Sequence, residues 1–357
     1  MNSLKEFVGV ALCLLGLSAT AFAQEKVAVP TDYKEAKAEL KTGGPVLLFS
    51  DSPEMVYNNG ILYRDVVQGH VRLFFHHVNG VSEDRRLAVV VKNPSQLRSV
   101  AYNITRSGIA DGTYNYMAGG KNALESYFGQ KQKLGGGVLY GDTSKELLGD
   151  GRGIILSENM LLTGIIDMEF SREAQVSVLM LHPKADVELA DSDGKILPMD
   201  EHPLRGTFKS SDWYYTLKKP VKASDTYMLY LAGSENYAKG IDKTTGLAAE
   251  NYGNYGVVYH VRFKVKGDKP VSFMLNPIGG YFAGYGVLKN VTTGQEMLLA
   301  LPEETESIGE TIEDAVELAQ LQAGEYDFVW TPPGASNLPV RLFWTAAKIS
   351  VDKSSYK

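Results

Sequence analysis

From Val46 onward the chain is a succession of short apolar runs interrupted by Gly, Asn, Asp and Pro, and this punctuation restricts what it can fold into. The runs VLLFS, ILYRDVV, HVRLFFHHVNG, LAVVVKN and SVAYNI are rich in β-branched and aromatic residues and read as strands at hairpin-like spacing, not helices. The 20 Tyr and 36 Gly fit a strand-dominated chain with many turns. Ahead of these runs, Asp32 to Lys41 (DYKEAKAELK) has Glu and Lys spaced to support a short surface helix. A short helical turn is also expected at Asn122 to Phe128, and one or two surface turns of helix within Glu303 to Gln320.

The first 23 residues constrain where the chain works. Lys5 precedes an apolar run from Phe7 to Leu17, and the segment ends in Ala21-Phe22-Ala23, the A-x-A pattern of a signal-peptidase site. Roughly 11 apolar residues fall short of the ~20 needed to span a bilayer, so an exported chain starting at Gln24 is expected. Cys13, the single cysteine, lies within this segment, so the exported part has no disulfide and must be held by core burial. Removing 23 of 357 residues leaves 334, more than one core usually organises. A net charge of −6 argues against nucleic acid as a partner, and no later run reaches membrane length.

These features predict an all-β protein of two tandem β-sandwich, jelly-roll-like domains. A polar, helical segment at 24–44 precedes a first domain at 45–183, a junction at 184–203 and a second domain at 204–350. The two strand series echo each other. LAVVVKNPSQLRSVAYNITRSG parallels VYHVRFKVKGDKPVSFMLNPIGG, and LLTGIIDMEFSREAQVSVLMLHP parallels LQAGEYDFVWTPPGASNLPVRLFWTA as a final hairpin in each half.

Familiar catalytic motifs are missing. There is no G-x-S-x-G elbow, H-E-x-x-H pair, P-loop or Rossmann fingerprint, and no cofactor is expected. In a strand from His70 to Val78, His70, Arg72, Phe74 and His76 share one face, with Val71, Leu73, Phe75 and His77 on the other. His70 and His76 are the candidate metal ligands, in an exposed polar row with Arg72. The DSDGK segment from Asp191 resembles the start of a calcium loop but has His202 where a bidentate carboxylate is needed, so it reads as a turn. Aromatic clusters give a binding lead: Trp213 and Tyr214, Tyr252 and Tyr255, and Tyr281 and Tyr285 sit beside flexible backbone, suited to stacking on sugar rings or packing on a partner protein. In TPPGASNLPV, Gly334 is expected to form a turn, with positive φ making it sensitive to Val.

The strings LLFSDSPEMVYNNGILYRDVVQGHVRLFFHHVNG, NYGNYGVVYHVRFKV, NPIGGYFAGYGVL and TPPGASNLPVRLFW resemble the long β-rich region of secreted bacterial copper amine oxidase N-terminal (stalk) domain-containing proteins. The short repeat with a GRTLVPLR-like core that names that family is missing here, so copper and amine oxidation do not follow. The resemblance implies an envelope or secreted β-protein. The expected function is a non-catalytic module in the periplasm, at the cell surface or outside the cell, binding cell-wall glycan or an envelope protein. The rivals are an extracellular carbohydrate-active enzyme, requiring two acids converging in an aromatic cleft, and a metal-binding envelope protein.

Overall fold

The computed structural model describes residues 26–130, 135–303 and 305–347. The expected signal segment, with Cys13, lies outside the described residues. Strands account for 52% and helices for 8%, which makes the chain all-β. Among the described residues no helix is long and apolar enough to cross a membrane.

A 12-stranded sheet is built around two long antiparallel strands, Gly60–Asn79 and Leu161–Leu181. ILYRDVV and HVRLFFHHVN are therefore one strand, and LLTGIIDMEFSREAQVSVLML is one strand instead of a hairpin. Their pairing slips between Phe170 and Ala174, opposite Gly69 at φ +75°. This irregularity lets the sheet fold over without ending either strand. On the far side of Leu161–Leu181, Val100–Ile109 pairs with its first half and Arg85–Lys92 with its second. Leu73, Phe75 and Ile166 from one side of the bend share a core with Leu62, Val89 and Val178 from the other.

Two six-stranded sheets form the rest. One has Val271–Pro277 and Val340–Ala346 at its centre, the other Val258–Val265 and Gly324–Trp330. They share a core, where Phe263 lies 5.4 Å from Phe273 and 5.0 Å from Trp344. The parallels between the sequence halves do not extend to pairing. Arg85–Lys92 and Val100–Ile109 belong to one sheet, whereas Val258–Val265 and Val271–Pro277 belong to two, as do the strands of the expected final hairpin.

Sheet membership does not follow chain order. Arg205–Phe208, Ala238–Ile241 and Ala248–Asn251 extend the large sheet, while the N-terminal region completes the smaller ones. The short helix expected at Asp32 to Lys41 is instead two strands, Lys34–Glu35 and Ala38–Gly43. Each lies at the edge of a different six-stranded sheet, paired with Tyr227–Leu231 and Asp212–Leu217. Tertiary pairing overrides a local helix preference, and the Glu and Lys spacing that suggested a helix equally suits an edge that must not recruit another strand. The acidic segment near the C-terminus is likewise extended, as Asp314–Leu321.

The expected helical turn at Asn122 to Phe128 lies within a full helix, α1 (Tyr116–Gly129). Asn115 caps it by accepting from the Ala118 N–H at 3.1 Å, and Gln130 closes it in the left-handed conformation. Leu124, Tyr127 and Phe128 pack with Phe74 and Ile165 of the large sheet into the core of the six-stranded sheets. The strand Val46–Ser50, parallel to 71–75, is correspondingly buried on both faces, Leu47 and Phe49 toward one core and Leu48 toward the other.

Candidate functional site

Where Arg205–Phe208 and Ala238–Ile241 approach Asp212–Leu217, a cleft of about 750 Å³ opens, within the usual size range of ligand sites. Strand alternation turns Trp213 inward and Tyr214 outward. Trp213 is 6% exposed, packs edge-on to Tyr259 at 5.8 Å and lines the cleft with Phe208. Half-buried Tyr237 lines the opposite side and is held edge-on by exposed Tyr252, with ring centroids 5.5 Å apart. Gln68, Thr207 and Ser210 add amide and hydroxyl groups. The Thr207 hydroxyl donates to Asp65 at 2.7 Å and meets the Tyr63 hydroxyl at 2.7 Å, which fixes that wall.

A second group forms where the 331–337 loop packs on the large sheet. His76 is 4% exposed, and burial lowers its pKa to about 3, so the ring is neutral. Its Nε2 lies 3.9 Å from Glu54, while Nδ1 has no hydrogen-bond partner among the described residues. Burial holds the Asp51 carboxyl well above its ordinary range, reinforced by Glu54 and Asp200, and Glu54 is itself raised. One Asp51 oxygen is buried without a hydrogen-bond partner among the described residues. Tyr255 packs 6.4 Å from Phe49 and donates its hydroxyl to the Ser336 carbonyl at 2.8 Å. Exposed Tyr281 is tied to the same loop through its carbonyl, which accepts from the Asn337 N–H at 2.8 Å.

His77, on the opposite face from His76, meets the Ser50 hydroxyl at 2.8 Å and the Pro53 carbonyl at 2.9 Å. Because a carbonyl only accepts, Nδ1 carries the proton and Nε2 accepts from Ser50. The pair has the spacing of a nucleophile and its base, but both residues are fully buried and the orienting group is a backbone carbonyl, which makes it a structural clasp.

The polar row expected in an exposed strand is mostly enclosed, because the second set of sheets covers that face. His70 remains exposed, while Arg72 is 3% exposed. Arg72 donates to both oxygens of Asp167 at 2.7 and 3.1 Å and to Asp212 at 2.8 Å, tying the large sheet to a strand of its neighbour. Tyr127 completes the knot by donating to Asp167 at 2.7 Å. A smaller cleft of about 520 Å³ runs past it, with His70 and His260 on its walls.

His70 and His76 do not converge. Six residues along one extended strand separate them by roughly 20 Å, and among the described residues no group of three His, Cys, Asp or Glu is placed to hold a metal ion. Asp191 of DSDGK is buried in the last turn of α2 (Val187–Asp193) and paired with Arg64 at 2.8 Å, instead of lying in an open turn.

The six aromatic candidates do not form one face. Trp213 and Tyr252 meet the larger cleft, the latter through Tyr237, while Tyr255 and Tyr281 meet the 331–337 loop. Tyr214 stacks on His260 at 4.6 Å, and Tyr285 lies 6.0 Å beneath the Lys121 ammonium. Sequence reasoning passed over Tyr237, an isolated tyrosine, and Asp51 and Glu54, of which the fold brings Glu54 to within 3.9 Å of His76. Comparison with family models and with curated proteins finds no match to this chain.

Proposed function

We propose that this chain is an exported, non-catalytic β-protein of the bacterial envelope or exterior that binds saccharide in the cleft between Trp213 and Tyr237. The observation carrying this reading is the convergence of half-buried Tyr237, beside the buried rings of Trp213 and Phe208, with Gln68, Thr207 and Ser210 around one open cleft. Aromatic faces take the C–H surfaces of a sugar ring, and short polar side chains take its hydroxyls. Export rests on the Phe7 to Leu17 run and the Ala21-Phe22-Ala23 site, and membership among stalk domain-containing proteins on the quoted strings. The folded-over large sheet and the paired six-stranded sheets are read as β-sandwich units.

The test is calorimetric titration of the purified protein and its Tyr237→Ala variant with cell-wall and matrix oligosaccharides, with released products monitored. Saturable binding without product, weakened about tenfold by Tyr237→Ala, is expected. Absence of binding across the panel contradicts the reading.

A second reading, a carbohydrate-active enzyme, is favoured by Asp51. Burial and the neighbouring Glu54 push its carboxyl well above the ordinary range, near Tyr255, the direction a general acid requires. Product release abolished by Asp51→Asn would establish it. Release unaffected by that variant, or absent in the wild type, would dismiss it.

A further inference from the structure

We infer that the cleft between Trp213 and Tyr237 selects acidic saccharides, whose rings carry carboxylate or sulfate groups, an inference that rests on the saccharide reading of that cleft. The chain has a net charge of −6, yet Lys209, Lys239 and Lys243 all line this cleft and all are exposed. Among the described residues none of the three has a carboxylate within ion-pair distance. Some lysines elsewhere are paired, Lys92 with Asp142 at 3.1 Å, Lys264 with Glu325 at 3.3 Å and Lys289 with Glu296 at 2.9 Å, while others such as Lys145, Lys195 and Lys218 have no such partner among the described residues, so what sets the three apart is that they line one cleft.

Among the described residues the only carboxylate lining the cleft, Asp65, is already engaged, accepting from the Thr207 hydroxyl and the Val66 N–H, each at 2.7 Å. Glu250 lies opposite Lys239 in the strand ladder but does not line the cleft. Protection of a sheet edge does not account for the three lysines. Lys209 and Lys243 lie just beyond the ends of their strands, and the terminal strand of the sheet is Ala248–Asn251.

Ammonium groups on flexible stems suit this task. A lysine is a compact charge with three donors and no fixed fork, so it can follow an anionic group whose position varies from ring to ring. The Tyr237 ring holds the sugar face while the lysines read its charge. The anion is either a ring carboxylate, as in a uronide, or a sulfate ester.

The experiment titrates the intact protein with a tetrameric oligogalacturonate, its fully methyl-esterified form, a sulfated chondroitin tetrasaccharide and a neutral cello-oligosaccharide. At least one acidic oligosaccharide is expected to bind about tenfold or more tighter than the neutral ones. The gap should collapse in the combined Lys209→Gln, Lys239→Gln, Lys243→Gln variant and should persist in Lys264→Gln. It should also shrink as ionic strength rises from about 0.02 to about 0.5 M, where the screening length falls from roughly 20 to roughly 4 Å. Preference for the uronide assigns carboxylate as the anion, and preference for the sulfated sugar assigns sulfate. Equal binding of acidic and neutral forms, or a preference surviving loss of the three lysines, overturns this inference and leaves the saccharide reading intact. No binding by any of the four overturns both.

Discussion

Gly334 shows how closely the two halves of the molecule approach. Its φ is not positive; the neighbouring Ala335, at φ +61°, occupies the left-handed region instead. Glycine is required at 334 by space, since a Cβ there would lie 2.7 Å from His76 Nδ1 and 2.9 Å from Thr163 Oγ1. On the other side, a Cβ on Gly120 of α1 would lie 2.0 Å from the Gly334 carbonyl oxygen, a contact that backbone cannot relieve cheaply. Gly334→Val and Gly120→Ala are each predicted to destabilise the protein by about 1 to 3 kcal/mol in denaturant titration. Stability within about 0.5 kcal/mol of wild type for both would refute the close contact. The buried titratable groups add a pH signature. His76 and His77 have pKa values lowered by burial to about 3 and about 4, from 6.5, so below pH 6.5 the unfolded chain binds protons that the fold refuses. Their effect is to lower stability as pH falls from 6.5 toward 4, by about 1.4 kcal/mol per pH unit for each ring. Glu146, raised mainly by burial from 4.5 to about 7, acts oppositely and lowers stability as pH rises from 4.5 to 7. Stability measured from pH 5 to 7 should therefore depend more weakly on acidification in His76→Asn and more strongly in Glu146→Gln. An unchanged slope in His76→Asn contradicts the buried neutral ring.

At the scale of elements, local pattern revealed strand character better than strand length or partner. Alternation correctly separated Phe74 from Phe75, which enter different cores. It could not show that Gly69 and residues 171–173 bend two long strands instead of ending four short ones, because a glycine between apolar runs marks a turn and a bulge alike. Asp32 to Lys41 was illegible for a different reason. Its charges satisfy helix spacing, while the partners that make it a strand lie near residues 212–217 and 227–228. Ala36 distinguishes the two descriptions, being 7% exposed and part of the core between the six-stranded sheets. Ala36→Asp is predicted to cost roughly 2 kcal/mol or more, as an unpaired polar group placed in that core, whereas an exposed helix would tolerate it. Thermal unfolding indistinguishable from wild type would argue for the helix.

At the scale of the molecule, chain crossings between the sheets create the sites. The strands Arg205–Phe208, Ala238–Ile241 and Ala248–Asn251 leave the second strand series to extend the large sheet, and the larger cleft opens where the first two approach the strand that carries Trp213. Trp213 and Tyr252 were visible as aromatic clusters in the sequence, but Tyr237 and the three lysines gain meaning only from this crossing. Arg72 joins the same parts through Asp167 and Asp212, so the cleft walls are fixed relative to one another by a fully paired buried charge. The most direct measurement of the central claim is amide chemical-shift mapping on isotopically labelled protein, titrated with the tightest-binding oligosaccharide of the panel. Saturable shifts concentrated at 65–68, 207–213 and 237–243 are predicted. Shifts centred on the 331–337 loop, or no saturable shifts at all, would contradict saccharide binding in this cleft.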